Sequence, residues 1–169
     1  MIKKLCFLLL FYYLSLSSLF SQDAKFKALF MYNFTKYLEW PAEKQKGDFV
    51  IGIYGTSPIT QELRIIAGKK KVGIQNIVIK EYSTPAGLSG CHIIFIPENR
   101  SARIDEIRNS CTGTGTVLIT EKAGLAKTVS GLNYVSIDGK QSFEINKTNL
   151  EKQGVKVNSV LLSLGIVVQ

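Results

Sequence analysis

The sequence predicts an α/β fold: a three-layer, sandwich-like domain with a mainly parallel sheet of about four strands, a C-terminal antiparallel hairpin and flanking helices. Three observations predict it. Short β-branched, apolar runs recur at "FVIGIYG", "GIQNIVIKEY", "CHIIFIP" and "TVLITE", the pattern of strands buried on both faces. Amphipathic stretches follow the first and third of these runs, so the strands belong to βαβ units. The last third changes to two alternating runs around Asp138-Gly139, a hairpin signal.

The chain of 169 residues begins with the basic "MIKK", continues with the apolar run "LCFLLLFYYL" and then the small-residue stretch "SLSSLFSQ" ending near Ser21. This is the layout of a secretory signal peptide, and its apolar run falls short of the roughly 20 residues of a membrane span. The expected organisation is a signal peptide over residues 1–22, removed on export, and a single domain over 23–169. Losing Lys3 and Lys4 lowers the formal charge from +8 to +6. A mild basic excess serves solubility and also suits an acidic partner or lipid headgroups.

The first element of the mature chain is the aromatic stretch "KALFMYNFTKYLEWP". On a helical wheel Lys25, Tyr32, Lys36 and Glu39 share one narrow strip. Phe26, Leu29, Phe30, Phe34, Tyr37, Leu38 and Trp40 cover most of the remainder, which predicts a largely buried helix ended by Pro41. Asn33 falls inside the apolar arc, where a buried amide needs hydrogen-bond partners. Tyr32 is aromatic on the polar strip, and with Lys36, Glu39 and Trp40 it forms a candidate partner contact, because Tyr and Trp are favoured anchors of interfaces.

After the polar linker "AEKQKGD" comes the first parallel strand, then "TSPITQELRIIA", a helix with Ser57 as N-cap, Pro58 at its first position and Ile59, Leu63 and Ile66 inward. "SARIDEIRNS" predicts a short helix with Ile104 and Ile107 inward. In the hairpin, a three-residue loop pairing Ile137 with Gln141 places Val135, Ile137, Phe143 and Ile145 on one face. Glu144 then lies on the opposite face, either hydrogen-bonded within the sheet or available to a partner. "KTNLEKQG" is a helix capped by Asn146, and "VNSVLLSLGIVV" a final apolar helix capped near Asn158 or Ser159.

Little in the chain points to bond-making chemistry. "GTGT", Gly113 to Thr116, precedes its strand and offers no helix N-terminus to a phosphate. The turn at Gly55, Thr56 and Ser57 does follow a strand, where ligands gather in parallel sheets, and is a candidate ligand site as well as an ordinary helix cap. His92, the only histidine, neighbours Cys91, but adjacent strand residues point to opposite faces, against a Cys–His pair. With one His and no Cys-x-x-Cys, no metal site or cofactor is expected. "KKK", Lys69 to Lys71, has no interleaved aromatics and is read as a solvated turn, so no nucleic-acid partner is expected. Cys91 and Cys111 are disulfide candidates. A bridge closing a loop of about 20 residues contributes roughly 3 kcal/mol. Separate thiols and a bridge between subunits are the alternatives.

Together "KALFMYNFTKYLEWP", "IGIYGTSP", "CHIIFIP", "VLITE" and "GLNYV…FEIN…VNSVLLSL" resemble the YfiR-like periplasmic repressor family, in order and spacing, over nearly the whole mature chain. The resemblance implies a periplasmic, non-enzymatic domain. It implies repression of a membrane-bound signalling partner, a diguanylate cyclase or similar sensor, through that partner's periplasmic region. It also implies an outer-membrane-associated protein as a second partner, and self-association into a homodimer. A periplasmic receptor for a small ligand, using Gly55 to Ser57, is the alternative.

Overall fold

The computed structural model describes residues 22–169; the expected signal peptide lies outside this range apart from Gln22. A helix, α1 (22–34), opens it, followed by β1 (Leu38–Glu39), a 3₁₀ turn (Ala42–Gln45) and β2 (Phe49–Tyr54). Next come α2 (Ile59–Ala67), β3 (Lys71–Val72), β4 (Gln75–Tyr82) and β5 (Ile93–Ile96). A 3₁₀ turn (Glu98–Arg103) leads into α3 (Ile104–Cys111), then β6 (Val117–Thr120) and α4 (Leu125–Thr128). The hairpin is β7 (Leu132–Ile137) and β8 (Lys140–Ile145), followed by α5 (Lys147–Lys152), β9 (Lys156–Val157), α6 (Ser159–Leu164) and β10 (Ile166–Val167).

The main sheet has eight strands in the order β10-β8-β7-β6-β5-β2-β4-β3. Its centre is parallel from β4 through β2, β5 and β6 to β7; β8 returns antiparallel to β7, β3 pairs antiparallel with β4 and β10 adds in parallel to β8. The α/β class and the four expected parallel strands are thus present, as β2, β4, β5 and β6, and β7 extends them. Both faces are covered. Ile93 and Phe95 of β5 enter a core with α1, α2, α5 and α6, while Ile94 and Ile96 enter a second core with Ile107 and Cys111 of α3. Every residue of β5 is buried, which is why this strand reads as an unbroken apolar run.

Three local expectations are corrected. The opening helix stops at residue 34 instead of running to Pro41. Thr35 bonds its own turn, Oγ1 donating to the Tyr32 carbonyl at 2.6 Å, and Leu38–Glu39 leave the helical path to pair with Val157 and Lys156 of β9. Tertiary pairing overrides local propensity there. The buried seam of α1 is Ala24, Ala28, Met31 and Phe34, whereas Phe26 and Leu29 are 47% and 50% exposed. Asn33 is half-buried and not enclosed in the apolar arc, and its Oδ1 accepts from Lys36 Nζ at 2.9 Å.

The hairpin closes with a two-residue loop, Ile137 opposite Lys140, so Leu132, Tyr134, Phe143 and Ile145 form the core face and Val135 and Ile137 turn away. Asp138 and Gly139 both have positive φ, 50° and 74°, the twist that suits a tight hairpin. The last helix is short: Asn158 caps it, its side chain accepting from the Val160 amide at 2.8 Å, and it ends at Leu164 because Gly165 packs on Phe143. A Cβ at Gly165 would lie 2.3 Å from that ring. The next two residues become β10, pairing with Glu144 and Ile145.

Candidate partner-binding surface

Tyr32 and Lys36 lie together on the surface, and Glu39 is exposed on β1. Lys36 Nζ sits 4.9 Å from the Tyr32 ring centroid, a cation–π contact, and the Tyr32 hydroxyl reaches the Lys71 carbonyl at 3.5 Å. Glu39 pairs with Lys156 at 3.1 Å with both side chains exposed, so the pair contributes little to stability. Trp40 does not share this surface and is corrected to a core residue: its ring is 5% exposed, stands edge-on to Phe49 at 4.9 Å and donates from Nε1 to the His92 carbonyl at 3.3 Å. Glu144 is engaged within the sheet, accepting from Asn133 Nδ2 at 3.0 Å. Asn133 in turn accepts from Thr120 Oγ1 at 2.7 Å.

An apolar groove that the sequence did not reveal runs between α1, β8 and α6. Phe30, Asn33 and Tyr37 form one wall, Leu161 and Leu164 the other, and Phe143 the floor of a cavity of about 270 Å³. An aromatic ladder supports it, with Phe26–Phe30 at 6.2 Å and Phe30–Phe143 at 6.0 Å. The groove is open at Leu164, which is 59% exposed, and Phe26, half exposed, flanks it next to Phe30. β10 sits beside the groove as an edge strand, paired on one side only, with Ile166 and Val167 exposed. Such an edge is a template for an added strand. The groove brings together residues more than a hundred positions apart. Its one local signal is the alanine seam of α1, which marks the core side and so leaves Phe26 and Leu29 outside.

The candidate ligand turn lies at the carboxyl end of β2. Gly55 takes φ +88°, and Thr56 and Ser57 follow it on the surface; the Ser57 Oγ accepts from the Ile59 amide at 3.4 Å. Cys91 and Cys111 are both fully buried in the α3-side core and stand as free thiols. Burial pushes both thiols up in pKa, and Cys91 Sγ donates to the Tyr82 hydroxyl at 3.3 Å.

His92 is a structural residue of the interior. Its Nδ1 accepts from the Val50 amide at 3.0 Å, and its Nε2 contacts the Lys44 carbonyl at 2.6 Å. Both bonds are satisfied only by the neutral ring with its proton on Nε2. Burial is the main cause that lowers its pKa below 6.5. The unfolded chain therefore binds the proton more readily, and stability rises with pH wherever it does so. The His92 contribution is full above about pH 6.5 and shrinks as pH falls below it. Urea midpoints should drop between pH 7 and 5.5, and His92→Gln should flatten that slope; an equal slope in the variant would refute the assignment.

Among the described residues no helix is long and apolar enough to cross a membrane, and no three His, Cys, Asp or Glu side chains gather as a metal site. No curated protein matches the chain. Residues 24–166 match the sequence profile described as YfiR/HmsC-like, from α1 through the first residue of β10. With its helices, parallel sheet and C-terminal hairpin all inside that match, the chain belongs to the YfiR/HmsC-like family.

Proposed function

We propose that the protein is an exported regulatory binding protein that represses a membrane-bound signalling partner, a diguanylate cyclase or similar sensor, through that partner's periplasmic region. Its family is one of periplasmic regulators of cyclase signalling, regulatory rather than catalytic. The observation that carries the reading is the open apolar groove between α1, β8 and α6. Exposed aromatic and aliphatic side chains around a cavity are costly in water and mark interaction sites, and the rings of Phe30, Tyr37 and Phe143 supply large contact area. The groove's apolar lining fits the apolar side chains of a partner segment.

The test is capture of the partner. Tagged protein expressed with its signal peptide should co-purify a membrane sensor from detergent-solubilised membranes, and deletion of the gene should raise the sensor's output. Deletion without any change in signalling would sink the reading. Tyr32→Ala should leave the fold nearly intact and reduce capture, because the ring packs on the core only in part and is open beside Lys36. A homodimer and an outer-membrane-associated protein are further partners this reading includes, separable by chain mass and by the membrane fraction that co-purifies.

Export also bears on the cysteines. Cys91 and Cys111 share one buried cluster, and we propose that they join on oxidation by a protein disulfide of the export compartment, two thiol hydrogens passing to that oxidant. Non-reducing mass spectrometry of the exported protein should find the linked peptides. Two alkylatable thiols after unfolding in the absence of reductant would show that no bridge forms.

A further inference from the structure

The crevice at the carboxyl ends of the parallel strands has a chemistry of its own. From β2 the chain passes through α2 to β4 on one side, then returns past β2 to β5 on the other. The segments after β2 and β5 therefore diverge, and the gap between them is where open α/β sheets bind ligands. Here it is a cavity of about 550 Å³ between the β2–α2 turn, the end of β4 and the 3₁₀ turn Glu98–Arg103, of a size for a small metabolite.

Most charges around it are already compensated. Glu81 is paired with Arg64 at 3.0 Å, and Arg103 with Glu106 at 2.6 Å. Arg100 is different: among the described residues no carboxylate lies within ion-pair distance of it and no acceptor takes its protons. Its side chain lies flat on the turn. A Cβ at Gly55 would meet Arg100 Nε at 2.7 Å and Cγ at 3.1 Å, and Gly55 is held at a φ that side chains avoid. The glycine thus keeps the guanidinium stem against the β2–α2 turn. Thr56 and Ser83 present hydroxyls on the same wall with no partner among the described residues. Tyr82, also on the wall, is a neutral phenol, and burial pushes its pKa further up, to about 12.

An uncommitted planar guanidinium, the one uncompensated charge of the lining, with the hydroxyls of Thr56 and Ser83 in the same crevice, calls for an oxyanion. The neighbouring cavity on the α1 side, of about 440 Å³, lacks this character, since Lys27 is already clamped between Asp23 at 2.6 Å and Glu121 at 2.7 Å. We infer that the crevice binds a small metabolite through a carboxylate or phosphate group, gripped by Arg100 over Gly55 and Thr56. The site is distinct from the apolar groove and does not depend on the proposed repression.

The test is a titration of the exported, processed protein followed by amide NMR, with inorganic phosphate and succinate in separate arms at constant ionic strength set by chloride. Saturable shifts at residues 55–57 and 100 are expected in at least one arm, and which arm responds names the group. Arg100→Gln, an exposed position whose fold is checked by circular dichroism, should weaken binding about tenfold or more, and Arg103→Gln less, because Glu106 already occupies that side chain. No saturable response at the turn in either arm, or the same response in Arg100→Gln, overturns the assignment.

Discussion

Trp40→Ala should lower the unfolding free energy by about 3–5 kcal/mol. The ring is 5% exposed and sits where three parts of the chain meet: β1 just before it, Phe49 at the start of β2 and His92 at the start of β5. Removing it leaves a cavity beside Phe49, whose ring also stacks on His92 at 4.3 Å. It also takes away the indole donor to the His92 carbonyl. The same carbonyl still accepts from the Val117 amide at 2.8 Å, so the lost donor adds less than the cavity does. Against a total stability of about 5–15 kcal/mol for a domain of this size, the change removes a large fraction. Urea unfolding should show a lower midpoint at unchanged slope. Trp40→Phe separates the two causes, keeping most of the packing and losing only the hydrogen bond, for about 1 kcal/mol. A Trp40→Ala loss under about 1.5 kcal/mol would mean that the site collapses around the gap.

What the residues disclosed depended on the range of the forces involved. The parallel strands were legible because burial on both faces makes each position of β5 apolar, and no partner need be known to see it. The Asp138-Gly139 turn was legible for the same local reason, yet its register was not. Grouping Val135 with Ile137 favoured a longer loop, whereas the sheet buries Tyr134 against Phe34, Phe95 and Phe143. In α1, counting large side chains misassigned the faces. The helix packs through Ala24 and Ala28, whose small size lets its backbone approach the sheet, and the bulky Phe26 and Leu29 are left to solvent. Nothing near Leu164 announces that it will line a cavity with Phe30 and Asn33. Nor does "ENRSAR" announce that Arg100 will lie across Gly55, 45 residues earlier in the chain. Such sites are assembled by the topology, which the pattern of apolar runs specifies only in outline.

The double substitution Phe26→Glu with Leu164→Glu should abolish capture of the membrane partner while leaving the fold intact. Both side chains are about half exposed or more, and surface substitutions of this kind usually shift stability by within about 0.5 kcal/mol. Their effect on binding has a different origin. A carboxylate at Leu164 on the groove, or at Phe26 beside Phe30, must be desolvated when an apolar segment docks, and the lining offers no cation: it is Phe30, Phe34, Tyr37, Phe143, Leu161 and the neutral Asn33, Gln141 and Ser142. Burying the two carboxylates unpaired should remove about 2–4 kcal/mol of binding, which is roughly 30- to 1000-fold in affinity. If the proposed repression runs through the groove, it should be lost at unchanged protein level and melting temperature, and the sensor's output should match that of the deletion strain. If the variant also converts a dimer to monomers in solution, then the groove's occupant is a second copy of this chain, and repression should be rescued by any change that restores the dimer. Full repression by a monomeric, correctly folded double variant would place the partner contact elsewhere, at Tyr32, Lys36 and Glu39.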